Sequence, residues 1–518
     1  DRKVFLHRLW LKCLNVPKME SVLIDEMEEL LRYDVPLFTS RPGERHLWTS
    51  NGRVVTDFFS RPAFDLVLDK IRNLSESDLY GQLQVLNMVM LASNADHYAD
   101  VEQISPFENR ILKDKKDFLV HAMDIGDYLL KTKIEGINGI EKDITWVSTV
   151  LEGSREVAWN ISPVGLDFYN GNSGIALFLA YLAHFTGETR FKEAAAQALV
   201  PIVNDMKQYG QNPSWSLGAY SGVGGSLFTV NLIAGLWNDS SLYQQVEEAL
   251  PGYIEMVNQD TIFDYIGGST GALDILLCIY HHTGNLDALK GAILCGDHLI
   301  AHSKEMEHGG LGWPTMLNGV ALTGYSHGNS GIAAAFSSLY QVTENKKYLT
   351  YISKALEYER TFYDAKEKNW RTPGREKISY AWCHGAPGVL LSRLRLKENG
   401  YRDHLLNQEI KASLTTTLDK GFGNNRSYCH GDFGQLEILL YADKVLQNND
   451  LSVNIQSVGS QLLETIDKRM WNYGVSRGTE SKGLMCGLAG IGMGLLKQYD
   501  SETVPNILNL ENRLLKRR

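Results

Sequence analysis

Two cysteines stand two residues before a glycine in matching motifs, Trp382-Cys383-His384-Gly385 and Tyr428-Cys429-His430-Gly431. The next register, one residue before the glycine, holds His384 and His430. Two related motifs place His327 (Ser326-His327-Gly328) and Cys486 (Met485-Cys486-Gly487) in that register as well. Thiolate and imidazole together suit Zn2+, a borderline-soft ion that favours tetrahedral coordination. If the loops that carry these motifs are neighbours, Cys383, Cys429 and His430 can meet around one ion. Three protein ligands would leave a fourth position open, the mark of a catalytic site. Two other readings stand beside this one. His384 and Cys486 could complete a closed four-ligand site, or the cysteines could be buried as small apolar side chains.

The element that must position these residues is a repeat. Seven motifs of the form G-x-x-G, beginning at Gly171, Gly222, Gly268, Gly328, Gly385, Gly431 and Gly487, lie 51, 46, 60, 57, 46 and 56 residues apart. A period near 50 indicates a repeat architecture. Each motif leads into an apolar run, such as IALFLAYLAHF at Ile175 to Phe185, with apolar residues on most faces; this predicts a helix buried on most sides. A second stretch in each repeat, such as Arg190 to Tyr209 or Lys347 to Tyr363, has a clearer polar face. Thr186-Gly187-Glu188 and Thr283-Gly284-Asn285 read as turns whose glycine ends a helix in the left-handed conformation. The expected unit is therefore a helical hairpin. The expected fold is all-α, an α/α toroid of seven hairpins and about fourteen helices, with an open solenoid as the competing geometry. Glycine at the mouth of each buried helix allows a tight turn and close backbone approach. The seven loops should then gather at one end of the ring.

Composition bounds the function. The chain has 518 residues, 44% hydrophobic and 22% charged, as expected of a globular protein. Its net charge of −10 argues against a nucleic-acid partner. No apolar run approaches the ~20 residues of a membrane span, and no secretory signal is seen. Six cysteines spread over this length do not make a disulfide framework, so a reducing, cytoplasmic setting is expected. The chain opens on Asp1 and moves directly into helical sequence, which reads as the C-terminal part of a longer protein.

The motifs YNGNSGIALFL, GYSHGNSGIA, WCHGAPGVLLSRL and YCHGDFGQLEIL resemble the lanthionine synthetase cyclase family, and the chain as a whole resembles the C-terminal half of a class II lanthipeptide synthetase. The resemblance implies a cyclase domain over 116–518 and zinc ligands at Cys383, Cys429 and His430. It also implies an acid–base role for His327 and a role for Asp264, four residues before a G-x-x-G. Thioether rings would form by addition of peptide cysteines to dehydroalanine or dehydrobutyrine, the partner being a precursor peptide with leader and core segments. Stand-alone cyclases carry an arginine four residues before the first metal cysteine. Ser379 occupies that place here, leaving Lys377 or Arg393 as possible substitutes. Residues 1–115 resemble the end of a kinase-like dehydratase domain, a smaller and mainly helical remnant. Arg32 and Thr39 fall where the family places phosphate-elimination residues. The parts that bind ATP and Mg2+ would lie upstream, and no phosphate-binding glycine loop with its lysine is seen in 1–115.

Rival readings are distinguishable. A helical-repeat peptide-binding scaffold with structural zinc would be supported by a closed four-ligand site. A thiol prenyltransferase-like enzyme would use Asp, Cys and His ligands and a second subunit. A glycosidase on the same barrel would need paired carboxylates, in which the motif loops are poor.

Overall fold

A computed structural model describes residues 7–8, 10–11, 18–92, 104–108, 112–136, 142–152, 158–212, 215–314, 319–447, 449–467, 473–475 and 479–511. The chain forms two compact units, residues 1–84 and 85–518, whereas the sequence reading puts a boundary at 115/116. Residues 104–108 and 112–113 belong with the larger unit. Ser105 and Gln461 exchange hydrogen bonds of 3.1 and 2.8 Å, and Pro106 accepts one of 2.8 Å from Asn454.

In the smaller unit, helix α1 (Met19–Leu31) is followed by an antiparallel meander of Phe38–Ser40, Leu47–Thr49 and Val54–Val55, then helix α2 (Ala63–Arg72). Val22, Leu47 and Val55 form its small core, with Met19, Phe38 and Phe58 packed around them. The expected helical remnant therefore also contains a sheet. A further helix, α3, spans Glu76–Ala92.

The larger unit is the expected toroid. Its inner helices are α5 (Asn172–Thr186), α7 (Gly224–Trp237), α9 (Ser269–Thr283), α11 (Asn329–Thr343), α13 (Ala386–Glu398), α15 (Asp432–Leu446) and α17 (Leu488–Tyr499). Each packs on the next, and α17 packs back on α5, so the ring closes and the open solenoid is excluded. The outer partners are α6 (Thr189–Met206), α8 (Ser240–Glu255), α10 (Leu286–Ala301), α12 (Lys347–Arg360), α14 (Leu406–Lys420) and α16 (Asn449–Asp467). The partner of α17 comes from the other end of the sequence: it is α4 (Lys115–Thr132). Inner helices are buried nearly throughout, as in Asn172–Ala183. Outer helices bury one stripe, as in Phe191, Ala194, Ala195, Ala198, Leu199 and Ile202 of α6. Gly187 and Gly284 end their helices at φ 72°, as the turn reading expects. Short antiparallel strand pairs precede some of the loops, the longest joining Val147–Glu152 to Ala158–Pro163.

The glycine that closes every motif, at its fourth position, has the same reason to be glycine. A β-carbon at Gly174, Gly225, Gly271, Gly331, Gly388, Gly434 or Gly490 would run into the backbone carbonyl oxygen six residues earlier. The loops are also tied to one another in a constant register. The amide two residues before the first glycine donates to the carbonyl in the same place in the next repeat: Tyr169 to Tyr220, Tyr220 to Ile266, Ile266 to Ser326, Ser326 to Cys383, Cys429 to Met485, and Met485 back to Tyr169. A hub of buried aromatic rings, Tyr220, Tyr265, Tyr325 and Trp382, lies beside these loops with centroid separations of 4.8–6.1 Å.

Candidate metal and acid–base centre

The loops before α13 and α15 bring Cys383 and Cys429 together, close enough for each thiol to act on the other. Cys429 also meets Cys486 and the Tyr169 hydroxyl, and Cys486 Sγ donates to Tyr169 Oη at 3.4 Å. Tyr169 occupies the same register as the two cysteines, two before a motif glycine, so the repeat alignment already contains the signal for it. The neighbouring Cys429, followed by burial, pushes the Cys383 thiol well above its ordinary range. At Cys429 the neighbouring Cys383 favours the thiolate, but Cys486 and burial outweigh it and push the thiol up. Without a cation these groups hold their protons.

His430, contributed by the same loop as Cys429, is held below the ordinary imidazole range by burial, opposed by a hydrogen bond to the Gly474 backbone. It is therefore neutral, the form that ligates metal, and a second hydrogen bond to a backbone group is how ligating histidines are commonly oriented. Among the described residues, no three His, Cys, Asp or Glu side chains are gathered at metal-ligand spacing. The donor set nevertheless fits zinc. Two thiols in mutual contact, each raised by burial or its neighbours, are the groups a soft divalent ion would deprotonate, and a neutral imidazole stands next in sequence.

Beside the thiols lies a second constellation. His327 Nδ1 is 2.7 Å from Asp264 Oδ2, and Asp264 Oδ1 accepts from the Gly267 amide at 2.7 Å. Asp264 is 6% exposed, while the His327 side chain is 36% exposed, so the imidazole edge not bonded to Asp264 is the accessible one. Burial pulls the His327 pKa down, but the charge and hydrogen bond of Asp264 outweigh it, and the net shift is upward. His384 stacks on His327 with centroids 5.7 Å apart and its Nδ1 3.4 Å from Thr372 Oγ1. Burial, then the charges of His327 and Arg375, lower His384 to a pKa of about 3, so it stays neutral.

The arginine question left open by Ser379 has a definite answer for one candidate. Arg393 is fully buried and paired with Glu359 at 2.8 Å and Glu409 at 2.9 Å, so the suggestion that it substitutes near the cysteines is corrected. Lys377 is exposed. The cation whose charge acts on His327, Cys383 and His384 is Arg375, in the turn closed by Arg375 N donating to Thr372 O. Sequence reasoning missed it because it lies eight residues before Cys383, outside the motif register. Arg32 and Thr39 lie in the smaller unit, both exposed. The Arg32 amide closes the end of α1, and Thr39 pairs across the sheet with Trp48.

Residues 162–509 match the family model of the lanthionine synthetase C-like proteins. The chain belongs to that family. Within the curated proteins, it is 23% identical over 499 residues to the lacticin 481/lactococcin biosynthesis protein LcnDR2 of Lactococcus lactis subsp. lactis, covering 92% of this chain and 51% of that protein. It thus spans about half the length of that relative. Among solved structures, a nisin cyclase superposes with a TM-score of 0.57 at 19% identity, covering 68% of this chain and 93% of the cyclase, which bears out the α/α toroid. No helix among the described residues is long and apolar enough to cross a membrane.

Proposed function

We propose that this lanthionine synthetase C-like chain cyclises a dehydrated precursor peptide, with Cys383, Cys429 and His430 holding zinc and with His327 and Asp264 handling the proton. The observation that carries the reading is the pairing of two thiols from adjacent loops beside a carboxylate-bound, partly exposed imidazole.

In this reaction the sulfur of a peptide cysteine bonds to the β-carbon of dehydroalanine or dehydrobutyrine. The alkene electron pair moves toward the neighbouring carbonyl, and a proton is delivered to the α-carbon. A free thiol, with a pKa near ~8.5, is largely protonated at neutral pH; zinc held by these ligands would supply the charge that removes its proton. His327 meets the other requirement. Asp264 raises its pKa and occupies Nδ1, so the protonated ring presents Nε2–H as the acid for the α-carbon. Asp264 is itself fixed by the Gly267 amide, which keeps the dyad oriented. His384 remains neutral against the same ring and does not compete as the acid.

As the resemblance to class II synthetases implies, the full-length enzyme would also dehydrate Ser and Thr with ATP and Mg2+, Arg32 and Thr39 belonging to that chemistry, in a cytoplasmic setting. The cyclase reading is tested by incubating a dehydrated precursor peptide with the chain and counting alkylatable thiols by mass spectrometry. Retention of every thiol, at the level of an enzyme-free control, would overturn it.

A further inference from the structure

The loop-to-loop bonds around the ring have one missing link. In the register two residues before the first glycine, six amide-to-carbonyl bonds join successive repeats, and among the described residues Cys383 N does not reach the Cys429 carbonyl. The loop there differs in conformation as well. Gly385 has φ 100°, a region reserved for glycine, whereas Gly171, Gly268, Gly328, Gly431 and Gly487 lie between −97° and −135°. Repeat five instead folds on itself, with Ala381 N donating to the His384 carbonyl at 3.0 Å. What crosses this seam is side-chain contact: the two thiols, and Gln435 Nε2 donating to the Tyr380 carbonyl at 2.8 Å. The break in the backbone chain therefore coincides with the two cysteines that occupy its register.

We infer that the metal is the seventh link of the loop ring: Cys383 on one side of the seam and Cys429 with His430 on the other replace the absent backbone bond. The inference rests on the zinc reading above and adds a structural role to it. Helices α13 and α15 pack on each other directly, so losing the ion loosens the two loops and not the helical ring. The remaining six seams are closed by backbone bonds that need no ion.

The test is hydrogen–deuterium exchange of the full chain, followed by mass spectrometry, with zinc measured in the same samples before chelation, after chelation and after zinc is restored. Peptides holding Ala381–Gly388 and Tyr428–Gly434 should exchange about tenfold faster or more without the ion and recover with it, while those holding Phe168–Gly174 and Tyr265–Gly271 change little. Zinc lost with no change at 381–388 and 428–434 would overturn the linking role and leave the zinc site standing. An equal rise in all the loops would also overturn it, because the effect would then not be confined to the seam. A chain that binds no zinc at any stage overturns both readings together. Gln435→Ala gives a second check that does not touch a ligand. It removes the hydrogen bond to the Tyr380 carbonyl across the seam, so chelation should accelerate exchange there further than in the unmodified chain, and equal acceleration would count against the proposal.

Discussion

Replacing Gly434 by alanine places a methyl group where the fold has no room. A β-carbon there would overlap the Tyr428 carbonyl oxygen and lie 2.9 Å from its carbonyl carbon and 3.3 Å from its α-carbon. All three are backbone atoms, so no rotamer change relieves the contact and the loop must move. Forcing a methyl into a packed site costs about 1–3 kcal/mol, and alanine returns roughly 0.4–1 kcal/mol by restricting the unfolded chain. The net loss, about 1–2 kcal/mol, lowers the folded-to-unfolded ratio roughly 5–30-fold. Because Tyr428 immediately precedes Cys429, the same movement displaces a residue proposed above as a zinc ligand, and on that proposal zinc affinity should fall as well. Gly187→Ala is the matched control. Gly187 sits at φ 72° with nothing within 4 Å of a β-carbon, so alanine costs about 1–2 kcal/mol of backbone strain without moving a site residue. Urea denaturation and competitive zinc titration of both variants should give lower midpoints for both and weaker zinc binding only for Gly434→Ala. Unchanged midpoint and unchanged zinc affinity in Gly434→Ala would refute the close-packing reasoning.

Further outcomes follow from the site. Elemental analysis should find one zinc per chain, lost in Cys383→Ala and in Cys429→Ala; full zinc in both would defeat the ligand assignment. His327→Ala should keep its zinc while cyclisation slows by about 10²–10⁴-fold, measured after subtracting uncatalysed addition. Loss of zinc in that variant would instead make His327 a ligand. Because Asp264 raises the His327 pKa, Asp264→Asn should move the alkaline fall in activity to lower pH. The stabilising contribution of the pair is full below the unfolded histidine value of about 6.5 and is lost as pH rises through the raised value, so Asp264→Asn should matter least for stability at high pH. Given ATP and Mg2+, the chain alone should remove no water from a Ser/Thr peptide; any dehydrated product would show that the 1–115 region holds nucleotide chemistry.

The hairpin repeat was legible because its signals are local: glycines at fixed offsets, apolar runs after them, and a left-handed stop such as Gly187. Closure was not, because the outer partner of the last inner helix is α4, more than 350 residues away in sequence, and no local pattern encodes that pairing. The short strand pairs were also missed, since two-residue strands such as Tyr363–Asp364 leave no periodicity to read. At the site, the same register that marked Cys383 and Cys429 also marked Tyr169, and the shared register of His327 and His384 became a stacked pair. Arg375 and the Gly474 backbone carried no such mark. They reach the site from loops whose length varies between repeats, so only the folded chain brings them near. Arg393 illustrates the converse: its sequence position near Cys383 suggested proximity, but it projects from α13 into the buried Glu359–Glu409 pair.

The central claim, that these loops catalyse thioether formation on a peptide, is tested most directly by one time course. A dehydrated precursor peptide is mixed with zinc-loaded chain, quenched with an alkylating reagent, and the added masses are counted. The expected result is a stepwise loss of alkylatable thiols at constant peptide mass, faster than in an enzyme-free control and abolished above that control by Cys429→Ala. Thiols that disappear no faster than in the control, or as fast with Cys429→Ala as with the unmodified chain, would contradict it.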